Sequence, residues 1–296
     1  MSVAKKNPPA YDEQRPEFER QLVDSGTIGD VERPLSATER LMQNEMVQRF
    51  NILVALIVIW QVYAYWLDDD LLFPSFTQTV TMFWGDMQSG LLLNRTITSL
   101  QTLALGYGAG LAIAAAFTTF AVISKTGTRI LSTLTAMFNP LPAIALLPMA
   151  LIWFGLGTPS LVFVIIHSVL WAVALNTLSG FRAVPETLRM SGRNVGLKSA
   201  RYVALILIPA AFPSILSGLK IGWAFAWRTL VAAELVFGVS SRSGGIGWYI
   251  FEARNDLDTA RVFSGLLMVI VIGLLVESVI FRAIENRTVN AWGMQR

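Results

Sequence analysis

Few residues in this chain are of a type that does chemistry. Its 296 residues include no Cys and a single His, His167. That excludes thiolate nucleophiles, disulfide scaffolds and sites built on Cys or several His ligands. His167 sits in an apolar stretch and is expected to be a hydrogen-bonded packing residue. No nucleophile–base pair emerges, and Asp68-Asp69-Asp70 reads as a topological stop, not a metal cluster. What remains is charge embedded in apolar sequence: Lys220, Arg228, Glu234 and Glu277. Arg228 is suited to attract an anion into an apolar setting. Glu234 lies six positions on, on another side of a helix, so the two are poor partners. Glu234 is read as a brace of the fold or of a dimer, and also as a second pathway residue. Lys220 is expected to reach back toward the cytosolic interface. Glu277 is expected to pair with an Arg such as Arg282 or to make a helix contact. Asn139, Pro142 and Pro148 interrupt an apolar run. Broken backbone in a bilayer either lines a cavity or is buried in protein. Asn139 and Pro142 therefore join Arg228 and Glu234 as pathway candidates, with a packing kink as the other reading.

Composition identifies the setting of these residues. Hydrophobic residues make up 54% of the chain and charged residues 15%, against roughly 25% charged in soluble domains. Mean hydropathy is +0.54. Soluble enzymes and nucleic-acid readers are excluded by this balance, and a net charge of only +3 gives no phosphate-binding surface. The chain is an all-α polytopic membrane protein.

The elements that must position those residues follow from the apolar runs. A bilayer core takes about 20 apolar residues per helix. Residues 51–67, 96–124, 130–154, 161–178, 203–239 and 262–281 give six spans. Trp60, Tyr63, Tyr65 and Trp66 form an aromatic belt at the end of the first. Residues 77–87 are expected to form a short surface helix. Gly106 and Gly110 are a small-xxx-small pair that lets another helix approach. Residues 1–49 mix seven Lys and Arg with nine acids and four prolines. They read as a cytosolic tail, with a capping box at Ser36–Glu39 starting a helix. That helix lies along the membrane or is a solvated linker. Lys and Arg concentrate after spans two and four and after span six, while Asp68, Asp69, Asp70 and Asp86 follow span one. The positive-inside rule then places both termini in the cytosol. The chain divides into the tail 1–49, a six-helix domain 50–282 and a cytosolic tail 283–296.

The cytosolic stretch 179–202 carries more than charge. Pro185 suits a first helical position. Glu186 near the start, and Arg189 and Arg193 later, complement a helix dipole. Gly196 sits where a left-handed cap belongs, and Ser199 can cap the next helix. The result is a helix–Gly–helix element joined to span five, suited to transmit force.

This element resembles the signature of bacterial ABC importer permeases, the binding-protein-dependent inner-membrane components. That signature runs Glu-Ala-Ala, three residues, Gly, nine residues, Ile-x-Leu-Pro. Here Gly196 is followed by nine residues and then Ile206-Leu207-Ile208-Pro209. Met190-Ser191-Gly192 stands where Glu-Ala-Ala is expected, which removes the acid. Asn139-Pro140-Leu141-Pro142, Trp153–Gly157, Pro209–Ile215, Gly218-Leu219-Lys220, Trp227, Leu230–Glu234 and Gly244–Trp248 look like the nitrate, taurine and alkanesulfonate branch. The likeness covers about residues 50–285.

The resemblance implies a permease fold in which two copies, expected as a homodimer, form the pathway. Two cytosolic ATPases would dock on the coupling element, and an extracytoplasmic binding protein would deliver substrate. The element comprises Glu186, Arg189, Met190, Ser191, Gly192, Arg193, Gly196, Leu197, Lys198 and Arg201. The chain has no Gly-x-x-x-x-Gly-Lys-[Ser/Thr], so it does not cradle nucleotide phosphates in the usual way; the resemblance implies a transport subunit that is not an enzyme and binds no cofactor of its own, with ATP and Mg²⁺ in the partner ATPase. The implied location is the bacterial inner membrane, and the implied cargo is nitrate, bicarbonate, taurine or another sulfonate. The competing class is a self-sufficient secondary transporter, which would show repeats and coupling-ion residues. An intramembrane enzyme lacks the catalytic groups it would require.

Overall fold

The computed structural model describes residues 44–197, 199–237 and 244–293. The capping box at Ser36, and Lys198, lie outside the described residues. The chain divides into two units, 1–55 and 56–296. The described part of the first is the opening of helix α1; the rest of this section concerns the second. All regular elements among the described residues are helical.

Helix α1, Glu45–Leu67, has 23 residues, about 35 Å at 1.5 Å per residue. It stops at Asp68, whose φ of 51° is left-handed. Asp69 then caps the following turn, its Oδ1 accepting from the Leu71 and Leu72 amides. The Trp60 indole donates to the Pro74 carbonyl at 3.0 Å and packs on Phe73, Phe76 and Phe263. Helix α2, Phe76–Gln88, opens with a capping box between Ser75 and Gln78. One face, with Val80 and Trp84, is exposed as the expected surface helix requires. The helix also packs against the last span, with Asp86 buried and accepting from the Tyr249 hydroxyl at 2.5 Å and Arg261 Nε at 3.2 Å. Burial and the Asp86 carboxylate hold the Tyr249 phenol well above its ordinary pKa, so it stays a neutral donor.

Helix α3, Leu91–Ile123, meets α6, Thr158–Ala183, through the predicted glycine pair. A Cβ on Gly106 would lie 2.7 Å from Ile165 Cβ, and one on Gly110 2.9 Å from Val169 Cβ. The run expected as one span, 130–154, is broken. Helix α4, Lys125–Phe138, and the segment Ala143–Phe154, which contains helix α5 (Leu147–Phe154), are bent by 87° at the break. Pro140 and Pro142 cause the break because neither has an N–H to continue the ladder. Pro148 does not, since it falls in the first turn of α5, where no donor is required. The broken pair runs from one end of α6 to the other. At its start, Thr128 shares a cavity with Phe181 near the end of α6. At its finish, Ser160 Oγ near the start of α6 bonds the Ala150 carbonyl at 3.0 Å.

Helix α7, Glu186–Asn194, leads through Gly196 to the short helix α8, Ser199–Tyr202, and a π-helical turn, Val203–Leu207. Helix α9, Ile208–Phe237, crosses α6 at small residues: Cβ atoms on Gly218 and Gly222 would lie 2.8 Å from Asn176 Cβ and 3.0 Å from Val173 Cγ2. Helix α10, Ile246–Asn255, precedes α11, Thr259–Leu275. The last span does not end at 281. It continues through π turns and a short helix, α12 (Arg282–Glu285), to Asn290, so most of the expected tail is helical. The main core joins Leu103, Ile165, Val169, Trp171, Trp227, Leu230 and Tyr249.

Candidate functional site

The candidate coupling element is held at three points. Pro185 precedes α7 rather than opening it, with extended ψ of 141°. Glu186 follows in the first turn, 3.7 Å from Arg189 Nε and 3.8 Å from Arg193 Nη1. Arg189 points inward. Its Nε donates to the Val184 carbonyl at 3.2 Å and its Nη2 to the Phe181 carbonyl. Carbonyls at a helix end have no partner within the helix, so Arg189 both caps α6 and fastens α7 to it. Gly196 has φ of +80°. Its N–H bonds the Arg193 carbonyl at 2.9 Å, and the Leu197 N–H bonds the Gly192 carbonyl at 3.1 Å. These are the two bonds of a Schellman cap. Gly192 is the third point: a Cβ there would lie 2.9 Å from Ile206 Cγ1 and 3.2 Å from Tyr202 Cδ2. The position expected to carry Ala thus has no room for a methyl group.

The outward face of the element is different. Leu188, Met190 and Val195 are exposed, Val195 by 80%. Glu186, Arg193 and Arg201 are exposed beside them. Ser191 Oγ is tied to the Thr187 carbonyl. The candidate coupling residues therefore divide into inward fasteners (Arg189, Gly192), a turn (Gly196, Leu197) and an outward face (Glu186, Met190, Arg193, Arg201).

The pathway candidates also separate. Asn139, Pro142 and Arg228 line one cavity of about 320 Å³ between the α4–α5 bend, α6 and α9. Arg228 Nε donates to the Ala224 carbonyl at 2.9 Å, and its guanidinium lies 5.3 Å from the Phe225 ring centre. Glu234 belongs elsewhere. It is 5% exposed, accepts from the Gly247 amide at 2.8 Å and lies 2.8 Å from Ser99 Oγ. Ser99 Oγ in turn accepts from the Ile246 amide. Together these bonds tie α3, α9 and the start of α10, the contact that the brace reading of Glu234 expects.

Other expectations about polar residues are corrected. Lys220 does not reach for the interface alone: its Nζ lies 2.7 Å from Glu285 Oε2. Glu277 faces a cavity between α9 and α11 that Lys220 and Arg228 also line. His167 lacks the expected hydrogen bond; neither ring nitrogen has a partner among the described residues. It lines the Arg228 cavity together with Trp171, which the sequence reading missed. Their spacing of four, matched by Phe225 and Thr229 on α9, is the signal that could have grouped them.

Five helices long and apolar enough to cross a membrane, with the bent pair as a candidate sixth, define a polytopic membrane protein, to which the fastened helix–Gly–helix element is joined. The chain belongs to the family described as binding-protein-dependent transport system inner membrane component, whose model matches residues 72–289. It is thus an importer permease of the ABC class, a transport subunit rather than an enzyme. A Methanocaldococcus jannaschii protein, provisionally named an ABC transporter permease, is 28% identical over 242 residues, 80% of this chain and 90% of its own. The taurine transport system permease protein of Escherichia coli is 32% identical over 165 residues, 56% of this chain and 58% of its own. The nitrate import permease protein of Synechocystis is 29% identical over 235 residues, 76% of this chain and 83% of its own.

Proposed function

We propose that two copies of this chain form the pathway through which a cytoplasmic membrane imports a small anion, of the class of nitrate, bicarbonate or a sulfonate. The drive comes from two ATPase subunits, which hold the nucleotide and its Mg²⁺ and dock on the outward face of α7. A binding protein on the opposite side delivers the substrate. Both termini lie on the ATPase side, as the Lys and Arg distribution favours.

The observation that carries this reading is the form of the coupling element. It is clamped to α6 by Arg189 and, through Gly192, to α8 and the π turn that lead into α9, while Leu188, Met190 and Val195 face outward uncovered. Displacing such a unit moves two membrane helices together. The anion class is supported by Arg228 in the cavity at the broken span and by the substrates named for the taurine and nitrate relatives.

Affinity purification of the tagged chain from gently solubilised membranes tests the reading. Wild type should bring down an ATPase in stoichiometric amount. The Gly196→Asp variant should insert normally and lose it. Wild-type chain that is folded yet purifies without an ATPase, and that drives uptake in the absence of ATP, would mark a self-sufficient transporter instead.

A further inference from the structure

Two residues at the broken span hold hydrogen-bonding nitrogens that the fold does not use. Trp171 is 7% exposed, and its indole Nε1 has no partner among the described residues. Both ring nitrogens of His167, one turn earlier, are likewise buried and unpartnered. A buried donor without an acceptor is disfavoured and calls for an explanation. Both side chains belong to the wall of the cavity that Arg228 lines. Arg228 commits its Nε to the Ala224 carbonyl; its two Nη groups have no partner among the described residues. No acidic side chain is among the residues lining the cavity. Its volume of about 320 Å³ is at the small end of ligand sites.

Phe138 packs on both rings. It stacks on Trp171 with centroids 5.4 Å apart and planes at 15°, and meets His167 edge-on at 6.5 Å. Phe138 is the last residue of α4, directly before the bend at 139–142.

We propose that this cavity is an anion-binding site within the permease itself. It takes a small oxyanion or an organosulfonate that carries no ammonium group. The guanidinium of Arg228 and the N–H groups of Trp171 and His167 hold the anion. This rests on the reading of the chain as an anion permease and adds to it a point of selection beyond the binding protein. The chemistry of the wall sets the selection. Indole and guanidinium are donors only, suited to oxyanions. An ammonium brought into the same cavity finds no carboxylate among the lining residues and is repelled by the Arg228 guanidinium. Taurine and ethanesulfonate differ by that one group.

Calorimetric titration tests this on the purified permease–ATPase complex in lipid nanodiscs, without binding protein. The probes are nitrate, ethanesulfonate and taurine. Nitrate and ethanesulfonate should bind saturably, and taurine at least about tenfold more weakly than ethanesulfonate. Trp171→Phe keeps a ring against Phe138 and removes the N–H; it should weaken ethanesulfonate about tenfold, as should His167→Phe. Arg228→Gln should abolish binding. Each variant is first shown to retain its ATPase, so that loss of fold is not read as loss of site. The proposal is overturned if neither anion binds wild type, if taurine binds as well as ethanesulfonate, or if folded Trp171→Phe and Arg228→Gln bind as wild type does. ATP-driven uptake by the same complex in proteoliposomes is measured in parallel. Uptake without anion binding removes this site and leaves the importer reading intact; absence of ATP-driven uptake removes the importer reading.

Discussion

Arg189 and Glu234 show how one side chain can fix where an element sits. Arg189 closes carbonyls of Phe181 and Val184 at the end of α6 while belonging to α7. Arg189→Ala leaves the outward face of α7 unchanged and removes that tie. The ATPase should still co-purify, while uptake per ATP hydrolysed falls severalfold. Arg189→Lys should restore little, because an ammonium lacks the planar fork that reaches two carbonyls. Simultaneous assays of uptake and phosphate release would check both statements. Glu234 is a matter of stability rather than transport. Glu234→Ala leaves Ser99 and the Gly247 amide without their buried acceptor, a loss of about 1–3 kcal/mol. A thermal unfolding assay in detergent should show it, with anion preference unchanged in the surviving protein. Sequence reading put Glu234 beside Arg228 among the pathway candidates, although six positions set them on different sides of the helix, and also read it as a brace. Only packing shows the brace contact, since Ser99 lies 135 positions away from Glu234.

At the scale of the element, the turn at Gly196 invites a graded test. A Cβ there would meet nothing within 4 Å, so its constraint is the φ of +80° alone. Asn and Asp tolerate the left-handed region and β-branched residues do not. Gly196→Asn should therefore retain coupling, and Gly196→Val should lose it by distorting the cap. Gly196→Asp should keep the cap yet lose the ATPase through its charge on the docking face. Co-purification of the three variants side by side distinguishes backbone from charge. Much of this element is legible in sequence, because Pro185, Glu186 and Gly196 act on the local backbone. The fastening is not: the reach of Arg189 to α6 and the contact of Gly192 with Ile206 are tertiary. Gly192 carried a signal nonetheless, since a glycine inside a helix costs about 1 kcal/mol and asks for a packing reason. The broken span was half legible. Three prolines announced an interruption, but which of them breaks the helix depends on where α5 begins.

For the molecule as a whole, the crossings are held by a few long-range ties. Lys220 and Glu285 join α9 to the last span through one ion pair 65 residues apart in sequence. Glu285→Gln should destabilise the fold, because it leaves an ammonium in a half-buried setting without its counter-charge. Adding Lys220→Met should recover much of the loss, and a double-mutant cycle on thermal stability measures the coupling. The six-crossing arrangement itself was legible from hydropathy. The continuation of the last helix to Asn290 was not, since Glu285 and Arg287 made that stretch read as a tail.

Site-directed cross-linking tests the central claim most directly, and the chain is suited to it because it contains no Cys. Single cysteines at Met190, at Val195 and at Ile152 would be paired by a bifunctional maleimide with the co-expressed ATPase. All three positions are exposed, by 50%, 80% and 78%, but Ile152 lies in α5 toward the opposite end of α6. Cross-links from positions 190 and 195, weakened by Gly196→Asp and absent from 152, are the expected result. Equal labelling at 152, or none at 190 and 195 in a complex that still transports, would contradict the assignment of α7 as the place where ATP hydrolysis reaches the membrane.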